Sequence, residues 1–195
     1  MRGTYGMFAR MSKVRLLGLV GSLRRASVNR ALVVAVAECL PDDATLTIFD
    51  GLGELPLFNT DISPEPESAA RLKAAIAAAD GLVIASPEYN YTVTGVMKNA
   101  IDWATRPANT SPLRGKPVGL VSASIGMSGG MRAQYHLRQI FVYTDSPVMA
   151  QPEVLIPRSN ERFDGEGRLT DESTRELLRK FGSSLVRWVE RFKGV

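Results

Sequence analysis

Five short apolar runs are spaced along the chain, at 14–21 (VRLLGLVG), 45–50 (TLTIFD), 81–86 (GLVIAS), 117–124 (PVGLVSAS) and 153–157 (EVLIP). Several are apolar at consecutive positions rather than at alternate ones. A strand with one wet face alternates, whereas a strand covered on both faces does not. The runs therefore predict strands of a parallel sheet buried between two layers. The stretches between them repeat at helical spacing. Over 27–40, Leu32, Val33, Val36, Ala37 and Leu40 share one face. Over 68–79 the face is Leu72, Ala75, Ile76 and Ala79, and over 94–105 it is Val96, Ala100, Trp103 and Ala104. A fourth helix is expected over 130–143. A fifth, over 171–193, carries a stripe of Leu177, Leu178, Phe181, Leu185, Trp188, Val189 and Phe192, with its arginines on the solvated side.

Five strands alternating with five helices predict a doubly wound α/β domain with right-handed crossovers. The strand count favours the flavodoxin-like order 2-1-3-4-5 over a six-stranded dinucleotide fold. In such sheets ligands sit at the carboxyl ends of the strands, near the point where the order reverses. The loops after the first, third and fourth strands are therefore the expected seat of function. One domain is expected over 13–195, with 1–12 as a disordered lead-in.

Composition narrows the chemistry. The chain of 195 residues has one cysteine, Cys39, and one histidine, His136. An internal disulfide and a Cys- or His-rich metal centre are excluded, and a reducing, cytoplasmic setting is expected. The apolar runs are far shorter than the roughly 20 residues of a membrane-spanning helix. Basic residues precede the first run, but LRRASVNR follows it rather than a small-residue cleavage site, so no secretory signal is expected. The net charge is +4, with bases and acids interspersed. That favours anionic small molecules over nucleic acid.

The first loop is GSLRRASVN, 21–29. Ser22, Arg24, Ser27 and Asn29 converge where a helix starts, and a helix N-terminus with hydroxyls, an amide and a guanidinium is a phosphate site. Neither a Walker A loop nor G-x-G-x-x-G is present. Ser27 is equally suited to cap the helix. The second loop is PEYNYTVTG, 87–95. Pro87 fixes the backbone, Tyr89 or Tyr91 can stack on a planar ring, and Asn90 can bond its edge. Tyr91 also suits a core or an interface, and Lys98 and Asp102, four apart, suit a helix ion pair. The third loop is SASIGMSGGMR, 122–132, whose glycines let backbone approach a flat ligand. Within it, 126–130 matches the G-x-S-x-G nucleophile elbow. The only histidine lies eight residues after Ser128 and before every later acid, so a Ser-His hydrolase is not expected.

Together, G-S-x-R-x-x-S-x-N, P-E-Y-N-Y-x-x-x-G-x-x-K-N-A-I-D-W and S-x-G-x-x-G-G resemble the NAD(P)H-dependent FMN reductase family, in particular its bacterial quinone and chromate reductase branch. The resemblance runs from about Val14 to the last helix. It implies a flavodoxin-like fold and non-covalent FMN. It assigns Ser22, Arg24, Ser27 and Asn29 to the FMN phosphate, Pro87, Glu88, Tyr89 and Asn90 to the isoalloxazine ring, and Ser124 and Gly126 to the other ring edge. It implies a homodimer or homotetramer, with Tyr91, Arg132, Tyr135 and Glu153 as interface candidates.

The activity implied is hydride transfer from NADPH or NADH, by way of FMN, to a small acceptor: a quinone, a free flavin, an azo compound or chromate. Arg106 and Arg114, on the loop after the third helix, are expected to attract dinucleotide phosphates or an anionic acceptor, or else to be ordinary surface residues. No side chain is expected to act as acid or base. The alternatives are a flavodoxin-type electron carrier and a flavin-binding sensor, neither of which turns over NAD(P)H. The basic charge and the G-S-x-R loop count against a carrier.

Overall fold

The computed structural model describes residues 13–193; the expected lead-in at 1–12 lies outside them. Its strands are β1 (Val14–Val20), β2 (Ala44–Ile48), β3 (Gly81–Ala85), β4 (Val118–Ala123) and β5 (Val154–Ile156). Its helices are α1 (Val28–Glu38), α2 (Glu67–Ala78), α3 (Gly95–Ala104), α4 (Met131–Tyr143) and α5 (Glu172–Glu190). The sheet is all parallel, in the order β2-β1-β3-β4-β5. This is the flavodoxin-like arrangement that the alternation predicts, and element ends differ from expectation by three residues at most. Three 3-10 turns, at Gly51–Glu54, Ala108–Thr110 and Ser159–Glu161, have no apolar period to announce them.

The consecutive apolar residues of the strands are explained by two cores. Val83 and Ala85 face one layer with Leu32, Val36, Phe181 and Leu185 of α1 and α5. Leu82 and Ile84 face the other, with Leu72, Ile76, Met97, Ile101 and Phe141 of α2, α3 and α4. Every residue of β3 and β4 is buried. Each fully buried aliphatic side chain contributes about 1.5–3 kcal/mol relative to exposure, so the centre of the sheet is the rigid part of the molecule.

Capping fixes where the helices begin. Ser27, Thr94 and Asp171 are the N-caps of α1, α3 and α5, and each side chain accepts an N–H of the first turn. Two of these caps close the loops that follow β1 and β3, so both loops end at fixed points. No described helix is long and apolar enough to cross a membrane.

Candidate functional site

The strand order reverses between β1 and β3, and the loops that follow these two strands are fastened to each other at Gly21. Its N–H donates to the Ala85 carbonyl (2.8 Å). Its own carbonyl accepts from the Thr94 hydroxyl (2.7 Å). A Cβ at this position would lie 2.7 Å from Thr94 Oγ1 and 3.1 Å from Met97 Cβ, so only glycine lets the two loops approach this closely.

Beyond Gly21 the first loop is rich in free donors. The backbone N–H groups of residues 22–26 have no acceptor among the described residues. Arg24 and Arg25 likewise form no ion pair among them. Ser27 Oγ accepts the Arg30 N–H (3.2 Å), so it serves the helix start in the way its alternative reading foresaw. Asn29 has a structural role. Its side chain is 2% exposed. Nδ2 donates to the Ala123 carbonyl and Oδ1 accepts the Ala123 N–H, both at 3.0 Å. The amide ties the start of α1 to the end of β4, and its second Nδ2 hydrogen has no acceptor among the described residues. Ser22, Arg24 and Ser27 stay together at the loop, and Asn29 follows them on the first turn of α1.

The loops after β3 and β4 face each other across the strand ends. Glu88 keeps its main-chain N–H free for a ring edge, with no acceptor among the described residues, while its carboxylate is engaged elsewhere. Its carboxylate accepts the Arg132 N–H (2.9 Å) and Arg132 Nη1 (2.7 Å), so the side chain is turned into α4 and not toward a ring. Arg132 in turn lies over the Tyr91 ring, 4.1 Å from its centre. One residue further on, Thr92 Oγ1 meets His136 Nδ1 at 2.6 Å. These contacts hold residues 88–92 to α4. Asn90 and Tyr91 have positive φ, 50° and 65°, at the tip of the turn closed by Tyr89 and Thr92. On the facing loop, Ser124 Oγ accepts the Gly126 N–H (3.1 Å). The N–H groups of Glu88, Asn90, Tyr91, Ile125 and Met127 have no acceptor among the described residues. Free backbone donors thus stand at the ends of β1, β3 and β4, a donor set suited to a phosphate on one side and a heteroaromatic edge on the other. The rim is apolar: Leu23, Tyr89, Tyr91, Ile125 and Met127 are all exposed.

Several residues singled out in the sequence do other work. In K-N-A-I-D-W, Lys98 pairs with Asp102. Asn99 donates to the Pro56 carbonyl and accepts the Phe58 N–H. Trp103 Nε1 also donates to the Pro56 carbonyl, and its ring meets Phe58 edge-on at 5.1 Å. This half of the motif therefore anchors the β2–α2 loop. Arg106 and Arg114 are misplaced by the sequence reading. A helix that follows a parallel strand runs back along it, and the ten residues of α3 span about 15 Å. Both arginines lie at the end of the sheet where β4 begins, opposite the three loops. Ser128 Oγ accepts the Gly130 N–H, while His136 meets Thr92, so the elbow-like sequence assembles no Ser-His pair. Of the interface candidates, Arg132 is engaged with Glu88, and Glu153 lies 3.9 Å from Arg138 in the same chain. Tyr91 and Tyr135 are exposed. Among the described residues no group of His, Cys, Asp and Glu is placed to hold a metal.

Residues 14–161 match the family model of the NADPH-dependent FMN reductases. The chain belongs to that family: it is a flavodoxin-like oxidoreductase with FMN as cofactor and NAD(P)H as electron donor. It is 42% identical over 183 residues to an NAD(P)H-dependent FMN reductase of Pseudomonas aeruginosa, covering 93% of this chain and 98% of the relative. It is 41% identical over 177 residues to a 2-hydroxy-1,4-benzoquinone reductase of a Burkholderia species, covering 90% and 96%. Among solved structures it is similar to FerB, a flavoenzyme NAD(P)H:(acceptor) oxidoreductase of Paracoccus denitrificans, with a TM-score of 0.85 and 33% identity over 92% of this chain and 98% of that one.

Proposed function

We propose that this reductase passes a hydride from NAD(P)H, by way of FMN held at the three loops, to a quinone. The observation that carries the choice of acceptor is the rim. Leu23, Tyr89, Tyr91, Ile125 and Met127 present apolar and aromatic surface around the candidate site. Two arginines border the ring-side loops: Arg132 is paired with Glu88, and Arg158 donates to Met127 Sδ at 3.3 Å. A flat aromatic acceptor suits such an apolar and aromatic mouth. The names of the Burkholderia relative and of an Escherichia coli quinone reductase, 36% identical over 185 residues, point the same way.

In this reading the free N–H groups of residues 22–26, with Ser22, Arg24 and Ser27, bind the phosphate. Pro87, Tyr89 and Asn90 flank the isoalloxazine ring on one side, and Ser124 and Gly126 on the other. Asn29 and Glu88 support the loops without touching the cofactor through their side chains. When bound, FMN supplies the two-electron chemistry that the side chains lack. The chain's part is to orient the ring and keep one face open, so that donor and acceptor occupy the same place in turn. Per turnover, NAD(P)H gives up a hydride, and the quinone gains that hydride and one proton from water. A homodimer or homotetramer in the cytoplasm belongs to this reading, with exposed Tyr91 and Tyr135 available to a second copy.

The test is an anaerobic visible spectrum of the purified protein. A flavin band that bleaches with NADPH and returns with a benzoquinone supports the proposal. A band that bleaches but returns only with chromate or an azo dye overturns the choice of acceptor. A protein that takes up no FMN overturns the site. Light scattering reads the oligomeric state on the same sample.

A further inference from the structure

A charge cluster joins the loop after β3 to α4. The helix begins at Gly130, which has no side chain to cap it, and no acid stands in its first turn. Glu88 supplies both functions from outside the helix: it accepts the Arg132 N–H and pairs with the Arg132 guanidinium. Three charges therefore meet: one negative carboxylate, one positive guanidinium and the partial positive charge of the helix end. The Glu88 side chain is only 9% exposed, so its charge is poorly screened by solvent. The cluster borders both ring-side loops, since Glu88 lies between Pro87 and Tyr89 and α4 follows directly on residues 124–130.

We infer that Glu88 is a positioning residue that sets the electron affinity of the flavin. It acts through α4 in two ways. It holds the two ring-side loops in register, and it offsets the positive charge of Arg132 and the helix end. A flavin gains negative charge on reduction, and uncompensated positive charge nearby would hold the electrons on it. With Glu88 ionised and paired, the ring stays a ready donor to the acceptor. This rests on the placement of the ring between residues 87–90 and 124–126.

The experiment uses full-length, FMN-loaded protein and measures the flavin midpoint potential by anaerobic equilibration against a redox dye. Glu88→Gln removes the negative charge at nearly constant shape, and the potential rises. Arg132→Gln leaves the carboxylate uncompensated, and the potential falls. The double variant lies between the two. Reoxidation by a benzoquinone slows severalfold in Glu88→Gln. A brace without an electrostatic role does not move the two potentials in opposite directions. Unchanged potentials with FMN retained, or shifts of the same sign, overturn the inference. If Glu88→Gln does not keep FMN, the sign for Arg132→Gln decides alone: a fall supports the inference, and no change or a rise overturns it. Failure of the underlying placement is seen separately, as unaltered riboflavin affinity in Tyr89→Ala.

Discussion

Asn29 and Ala123 are joined by a closed pair of hydrogen bonds, amide to peptide and peptide to amide, across 94 residues of chain. The pair fixes the first turn of α1 against the last residue of β4, and so fixes the spacing of two of the site's three loops.

Asn29→Ala should therefore act first on stability. It removes both bonds and leaves a buried peptide N–H and carbonyl without partners, a loss of about 2–4 kcal/mol. Urea titration of the apo-protein reads the change in midpoint. An FMN affinity that collapses while the midpoint stays put would return Asn29 to the phosphate.

Arg24→Ala should have the reverse profile. Arg24 is exposed and forms no ion pair among the described residues, so folding barely depends on it. Loss of one charge-assisted bond to a phosphate, about 1.5–3 kcal/mol, weakens FMN binding roughly 10- to 100-fold. Fluorescence titration of apo-protein with FMN and with riboflavin separates the cause, because riboflavin has no phosphate and its affinity should hardly move.

Gly130→Ala strikes the start of α4. The residue has φ 88°, and a Cβ there would lie 2.7 Å from both Cβ and Oγ of Ser122. Strain and overlap together should cost about 2–4 kcal/mol. A second variant, Ser122→Ala with Gly130→Ala, should recover little, because the clash with Cβ and the positive φ both remain.

Acid should loosen the C-terminal helix. Hydrogen bonds from Ser173 and Thr174, with Arg162 beside them, hold the Asp171 carboxyl well below its ordinary value of 3.8. A carboxyl depressed in the folded state contributes stability above its unfolded pKa and loses it as the pH falls below about 4. Asp171→Asn keeps an N-cap but not the charge, so its unfolding midpoint should change less between about pH 4 and pH 2 than that of the parent. Parallel curves for the two proteins would remove Asp171 from the acid transition.

The strands were legible because burial on both faces leaves a mark at every position, and every residue of β3 and β4 is buried. The helix starts were legible because Ser27, Thr94 and Asp171 lie beside the groups that they cap. The side-chain roles at the site were less so. Whether Asn29 reaches a ligand or Ala123, and whether Glu88 reaches a ring or Arg132, depends on partners 94 and 44 residues away. Thr94, whose hydroxyl holds Gly21 across 73 residues, was visible only as a helix start. Arg106 was misjudged for a different reason. It is near the site along the chain, but an intervening helix carries it to the other end of the sheet.

The anchoring of residues 56–58 by Asn99 and Trp103 has a practical side. The β2–α2 loop is fastened at its beginning and again where α2 packs, with Ser68 and Ala69 buried. Residues 59–65 between the two fastenings are exposed throughout. Among the described residues their main chain bonds only locally, to Asn59. New termini, a reporter peptide or a tether to a surface can be introduced between Asp61 and Glu65 without breaking a main-chain bond to the rest of the fold.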